Sequence, residues 1–320
     1  MSGGAVHPAS VTLELDAIGQ AAWERLFDAI PDSVLEQSWT YGEAVRQAAG
    51  RSVTRGLIRS GEAPVGLVQV FGQKYLGCVS VPEILRGPVF LPEASREERR
   101  TALHLVRERW PRKILQFPRW MPELEDGPET QALLRQLGLR QVVTGYPTVI
   151  ADLTPPVVDM RAALDGKWRN ALSQAEKAGL KVKFARGGTA VEQAVRQYDA
   201  MRRRRRFSGP SGATATAFHQ LVRRQRDLLA VTVSRGSDVL SGALFLGHGR
   251  TVTYYMGWTA KAGRTVNSQN LALWRGMVKL AEDGFTSLDM GGIDTWREPG
   301  IARFKIGTGG RVHITAGTWM

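Results

Sequence analysis

The sequence predicts an α+β protein in which mixed β-sheets are covered by helices, built as two copies of one unit. Three observations carry this. Helical stripes followed by groups of three short apolar runs occur in both halves of the 320-residue chain. The length suits two domains. Two prolines, Pro155 and Pro156, follow an apolar strand-like run at 148–151 and end it, which sets a seam between domains at 1–152 and 153–320.

Before the seam the pattern predicts helices at 18–30 and 38–49, strands at 53–59, 64–72 and 75–81, a helix at 95–109, and strands at 113–117 and 141–151. After it come a helix at 159–178, a strand at 180–185, a helix at 189–206 and a helix at 214–227. Strands at 228–235, 239–247 and 250–258, a helix at 267–283, a strand at 286–290, a short helix at 299–306 and a final strand at 311–319 complete the chain. Two helices have a clear mechanical signature. Val191, Ala194, Val195, Tyr198 and Met201 recur at helical spacing, as do Leu271, Trp274, Met277, Val278 and Ala281. The second stripe stops at Asp283-Gly284, where a glycine suits a left-handed cap.

Hydrophobic residues make up 43 % and charged residues 23 % of the chain, which excludes disorder, collagen and coiled coil. The longest apolar runs, 228–233 and 243–246, are too short to cross a bilayer. Residues 1–10 carry no Lys or Arg and no apolar stretch, so no signal peptide is expected. A lone cysteine, Cys78, excludes an internal disulfide and a multi-thiolate metal site. These features predict a cytoplasmic protein.

Charge is segregated. Residues 1–150 hold 17 basic and 17 acidic side chains, so the net +13 belongs to residues 151–320. Solubility requires no such asymmetry. A basic half predicts contact with a polyanion: nucleic acid, a phosphorylated carrier or an anionic membrane surface.

Several chemistries have no pattern here. The five histidines lack metal-ligand spacing, and there is no Gly-x-Ser-x-Gly elbow or phosphate-binding Walker sequence. Gly307-Thr308-Gly309-Gly310 follows a helix and lacks dinucleotide spacing. No metal or cofactor is expected, and a transferase that mainly positions two substrates remains.

Three segments carry candidate chemistry. Around 167–180, Leu164 with Trp168, Ala171 and Ala175 forms an apolar helix side while Lys167, Asn170, Gln174 and Lys177 form a polar row suited to phosphate oxygens, or simply a solvated face. Arg202 to Arg206 encircle a helix end, so only two or three can face one ligand. Such a run also complements the helix dipole. Phe207 and a loop from Ser208 to Gly212 follow and suggest a mobile cover. Third, Asp289-Met290-Gly291-Gly292-Ile293-Asp294 precedes Pro299 to Gly307. Two glycines at a strand end admit a substrate backbone. Asp289 and Asp294 can accept a proton or cap a turn, and Lys305, flanked by Arg303 and Phe304, can hold an oxyanion or a phosphate.

Several motifs together strongly resemble the FemABX family of non-ribosomal peptidyltransferases. They are Lys167-Trp168-Arg169-Asn170 with Ala175-Glu176-Lys177-Ala178-Gly179-Leu180, Met201-Arg202, and Tyr254-Tyr255-Met256-Gly257. Asn270-x-x-Leu273-Trp274, the 288–294 run and Gly300 to Lys305 with Gly309-Gly310 add to these. In the first half, Gln37-Ser38, Tyr41-Gly42 and Arg86-Gly87-Pro88 match weaker features. The resemblance covers nearly the whole chain and is most specific over 165–320.

It implies two GNAT-like acyltransferase domains, with the basic C-terminal one binding the donor. It also implies transfer of an amino acid from aminoacyl-tRNA, as co-substrate, to an acceptor amine on a cell-wall precursor or natural product. The acceptor is expected to be nucleotide- or diphosphate-linked, and a peripheral membrane contact is compatible. The implied residues are Lys305, Asp289 and Asp294 for catalysis. For binding they are Phe304, Arg303, Arg169, Asn170, Arg206, Asn270, Trp274, Tyr255, Ser38, Tyr41 and Arg46. The chain departs from the family in lacking the helical-hairpin arm of some members. It also lacks the pyrophosphate loop of acyl-CoA-dependent GNAT enzymes; Lys261-Ala262-Gly263-Arg264 stands at that turn. Acyl-CoA is therefore the weaker alternative donor.

Overall fold

The computed structural model describes residues 10–206 and 209–320. Phe207 and Ser208, at the start of the loop expected after the arginine run, lie outside the described residues. The chain divides into two compact units. One comprises the described residues up to Gly42 with Gly50–Gly145 and Thr315–Met320, and the other comprises Glu43–Ala49 and Tyr146–Ile314.

The first unit contains strand β1 (Val11–Leu15), helix α1 (Gln20–Asp28) and the start of helix α2 (Trp39–Ala49). Strands β2 (Ser52–Ser60), β3 (Ala63–Tyr75), β4 (Val79–Leu85) and β5 (Val89–Phe90) follow, then helix α3 (Arg96–Arg109). Strand β6 (Arg119–Met121), helix α4 (Pro128–Gln136) and strand β7 (Gln141–Val143) complete the run. The sheet order is β1-β2-β3-β4-β6-β15-β7, with β5 on β3, where β15 is Thr318–Trp319. All pairs are antiparallel except β4 and β6. Trp23 and Phe27 of α1 bury against Leu57 and Leu67, while Leu103, Val106, Trp120, Leu134 and Trp319 form a second cluster. Helix α3 starts on a complete capping box, Ser95 with Glu98, which satisfies two otherwise orphaned amides.

In the second unit come strand β8 (Pro147–Asp152), helices α5 (Val157–Ala163) and α6 (Gly166–Lys177), strand β9 (Lys181–Ala185), and helices α7 (Gly188–Arg205) and α8 (Gly212–Leu221). Strands β10 (Leu228–Arg235), β11 (Asp238–His248) and β12 (Thr251–Thr259) precede helices α9 (Lys261–Thr265) and α10 (Ser268–Glu282). Strand β13 (Ser287–Gly292), helix α11 (Pro299–Ile306) and strand β14 (Arg311–Ile314) close it. The order is β14-β8-β13-β12-β11-β10-β9, antiparallel except for β12 beside β13. Phe245, Leu271, Trp274, Met277 and Leu288 are buried in one core with Trp168 and Leu172.

The α+β layering expected from the sequence is present, and both sheets carry one parallel neighbour pair. Several elements differ. The helix expected at 159–178 is two helices, because the Asp165 side chain accepts from the amides of Lys167 and Trp168 and starts a new helix. The strand expected at 141–151 is also two, β7 in the first sheet and β8 in the second. The strand expected at 311–319 likewise divides into β14 and β15, on different sheets. The seam therefore falls at Gly145/Tyr146 instead of after residue 152. Residues 113–117 form a tight turn, and the adjacent strand is β6. The strand expected at 75–81 is the β3–β4 hairpin turn plus the start of β4. Helix α8 stops at Leu221, short of the expected 227. Strand β1 and helix α4 were not expected. No helix among the described residues is long and apolar enough to cross a membrane.

Candidate active site

The second unit opens where its two parallel strands part. Strands β12 and β13 pair only from Thr251 to Thr253 and from Ser287 to Asp289. On its other side β13 pairs Asp289 with Ile150 and then Gly292 with Thr148, so the register slips over Met290-Gly291. Gly291 sits at φ +67°, a left-handed value that side chains adopt at a cost. This irregularity ends the ladder with β12. On the far side β12 has its own register shift against β11, between the pairs Leu244–Met256 and Phe245–Tyr254, which leaves Tyr255 as the extra residue.

Lys305 enters at the point of divergence. Its Nζ donates to the Gly292 carbonyl at 2.8 Å. A Cβ built on Gly291 would lie 3.7 Å from that Nζ, so the ammonium sits against β13 where that strand leaves its ladder with β12. Burial pushes the Lys305 ammonium down to about 8, against the opposing pull of the Asp289 charge. At neutral pH it is a mostly protonated donor that gives up its proton readily. Such a group suits a developing oxyanion.

Helix α11 holds Lys305 there because its ends are locked. Pro299 opens the helix. At its other end the Trp168 indole donates to the Phe304 carbonyl at 3.0 Å and the Asp165 amide donates to the Gly307 carbonyl at 2.9 Å. Gly309, at φ +78°, passes so near the Ala163 carbonyl that any Cβ would collide with it. The glycine cluster after Lys305 thus serves close packing of α11 against α5 and α6.

Asp289 is 3 % exposed and accepts from the Thr148 hydroxyl at 2.5 Å and the Gly291 amide at 2.8 Å. It braces the bend in β13 and lends a negative charge to the surroundings of Lys305. Asp294 is exposed, and its carboxylate accepts from the amides of Trp296 at 3.0 Å and Arg297 at 2.7 Å, so it caps the turn into α11. That turn presents Trp296, which is 91 % exposed.

The other residues implied by the resemblance are dispersed. The Phe304 ring packs 5.9 Å from that of Trp168 at the edge of the core. Trp274 and Tyr255 are buried. Arg303 donates to the Pro299 carbonyl, and Arg169 to the Ala162 carbonyl at 2.9 Å. Asn170 lies in the exposed row with Lys167, Gln174 and Lys177, and Gln174 accepts from Asn267. Arg206 ends α7 in a left-handed conformation, exposed like Arg203 to Arg205. Asn270 occupies the first turn of α10 and is half-buried. Arg46 pairs with Glu43 at 2.5 Å.

In the first unit, Ser38 caps the start of α2 by accepting from the Tyr41 amide, and Tyr41 meets Phe71 edge to face. Gln37 donates to the Leu85 carbonyl and Arg86 makes a two-pronged pair with Glu123, so these matched residues brace the first sheet. The turn at 261–264 is the short helix α9, packed against β11 through Gly263.

Sequence reasoning singled out none of Thr148, Gln269, Tyr198 and Trp296 as site residues. The buried Tyr254 hydroxyl accepts from Gln269 at 2.9 Å, and burial drives its pKa upward. Burial likewise pushes Tyr198, on α7, up to about 12. Both phenols are neutral, so this stretch of the core adds polarity without charge. Among the described residues no cluster of His, Cys, Asp and Glu is placed to hold a metal.

Residues 160–305 match the family model for the acetyltransferase (GNAT) domain. No curated protein matches the chain in sequence. A crystal structure of FemX superposes with TM-score 0.80 at 15 % identity, covering 96 % of each chain. The C-terminal domain of a putative lysylphosphatidylglycerol synthetase from Agrobacterium fabrum gives 0.54 at 14 % identity, over 94 % of this chain and 92 % of that one. A tandem GNAT protein from the clavulanic acid biosynthesis pathway gives 0.53 at 12 % identity, over 96 % and 98 %. The chain has a GNAT-type fold like that of FemX, which bears out the fold implied by the resemblance.

Proposed function

Starting from this FemX-like fold, we propose that the protein is an acyltransferase that moves an aminoacyl group from the 3′ end of a tRNA to an acceptor amine. The observation that carries the reading is the Lys305 ammonium held at the parting of β12 and β13. The amine nitrogen attacks the ester carbonyl carbon, and the oxygen takes the charge beside Lys305. The bond to the ribose oxygen then breaks, the amine loses its proton and the sugar hydroxyl gains one. No metal or covalent nucleophile is required, because holding an amine against an activated ester supplies several kcal/mol of rate enhancement.

The segregated +13 supports an RNA donor. Exposed Trp296, on the turn that leads into the Lys305 helix, offers an aromatic face to a base. The acceptor is an amine on a cell-wall precursor or a natural product, carrying a nucleotide or diphosphate.

The match over 160–305 to an acetyltransferase model supports a second reading, in which the donor is an acyl-CoA. One experiment separates the two. Incubation with radiolabelled aminoacyl-tRNAs and candidate amines should give transfer that ribonuclease abolishes. Transfer from acyl-CoA that resists ribonuclease selects the second reading, and no transfer from either donor overturns both.

A further inference from the structure

The first unit carries an apolar tip that its own fold does not use. Two tight turns lie side by side: the Ser80 amide donates to the Leu115 carbonyl at 2.8 Å, and the Phe117 amide to the Ser80 carbonyl at 3.0 Å. In the β3–β4 hairpin, the Cys78 amide closes on the Tyr75 carbonyl, with Leu76 and Gly77 at the corner. In the other turn, the Gln116 amide closes on the Lys113 carbonyl, with Ile114 and Leu115 at the corner. Corners of this kind ordinarily hold Gly, Asn, Asp or Ser. Here Leu76 is 96 % exposed, Ile114 91 %, and Tyr75 and Leu115 50 % each.

Leu76 also stands at φ +50°, a conformation that disfavours leucine, and it gains no burial in return. The side chain is therefore unexplained by folding. Charge on the tip is one-sided as well. Residues 1–150 are neutral as a whole, yet segments 74–80 and 109–118 contain Lys74, Arg109, Arg112 and Lys113 and no acidic residue. All four basic residues are exposed.

We infer that these paired turns dock the protein on an anionic lipid bilayer. Leu76, Ile114, Tyr75 and Leu115 enter the headgroup–acyl boundary, and Lys74, Arg109, Arg112 and Lys113 meet lipid phosphates around them. Exposed large apolar side chains with cations next to them in the chain are the composition of interfacial anchors. The inference stands apart from the proposed reaction, since it uses none of the residues near Lys305.

Cys78, the chain's one cysteine, is exposed in the same hairpin and accepts a single environment-sensitive fluorophore. The labelled protein is mixed with phosphatidylcholine vesicles with and without phosphatidylglycerol. On the anionic vesicles the emission should shift to the blue, and binding should weaken as salt rises. The double variant Leu76→Asn, Ile114→Ser should bind at least about tenfold more weakly. It should melt no lower than the native protein, since asparagine tolerates positive φ.

Absence of any blue shift overturns the inference. Equal binding by native protein and double variant does so too, because it places the contact on the basic second unit. Self-association that the double variant abolishes, with no vesicle binding, reassigns the tip to contacts between copies and also overturns it.

Discussion

Replacing Lys305 by methionine gives the most informative perturbation, because burial of the ammonium sets its sign. The folded-state pKa is about 8, below the ordinary lysine value of 10.5. A depressed value means that the folded protein binds this proton less tightly than the unfolded chain. Below about pH 8 the ammonium therefore costs stability, and that cost is relieved as pH rises from about 8 towards 10.5. Between about pH 7.5 and 9.5 the native protein should gain roughly 2 kcal/mol relative to Lys305→Met, from linkage at about 1.4 kcal/mol per pH unit. Other titrating groups are common to both proteins and cancel in the difference. The assay is denaturant unfolding of both proteins at several pH values. A flat difference across that interval would refute a desolvated Lys305 and, with it, the site built around it.

Four further outcomes follow from the same geometry. Transfer activity should fall above about pH 8 as the ammonium titrates, measured with an acceptor amine of pKa below that range so that its own ionisation does not intervene. Asp289→Asn should lower the rate far more than Asp294→Ala. Asp294 only caps a turn, so its loss should cost about 1 kcal/mol in a melting experiment. Gly309→Ala should destabilise the second unit by more than about 1 kcal/mol, read by thermal melting, because its φ and its approach to Ala163 exclude a Cβ. On the proposed reaction, Trp296→Ala should weaken tRNA binding by about 1–3 kcal/mol in a filter-binding titration while leaving the melting temperature unchanged.

What could be read from the residues and what could not divide along local and non-local lines. Helices α7 and α10 announce themselves because their apolar stripes are long and regular, and Val191 to Tyr198 and Leu271 to Leu280 are indeed the buried faces. Strand β1 alternates Val11, Leu13 and Leu15 but is only five residues long, and its existence depends on pairing with β2. The helix break at Asp165-Gly166 had a legible capping signal, whereas assignment of β7 and β8 to different sheets depends on partners far away in sequence.

At the site, the glycines and aspartates around Lys305 single it out in the sequence. Its environment was not, because the parting of β12 and β13 arises from a register slip at Met290-Gly291 against β8, some 140 residues earlier in the chain. The same distance hides Thr148, whose hydroxyl fixes Asp289. Arg203 to Arg206 and the polar row on α6 lie on the surface as exposed side chains, and no pattern in the sequence distinguishes a solvated row from one that meets a ligand.

The central claim is that the Lys305 ammonium stabilises the carbonyl oxygen during acyl transfer. Single-turnover transfer at saturating donor, comparing native protein with Lys305→Ala, tests it most directly. The account expects the rate to fall about 10²–10³-fold with donor affinity little changed. A Lys305→Ala protein that is folded, binds the donor and transfers at the native rate would contradict it.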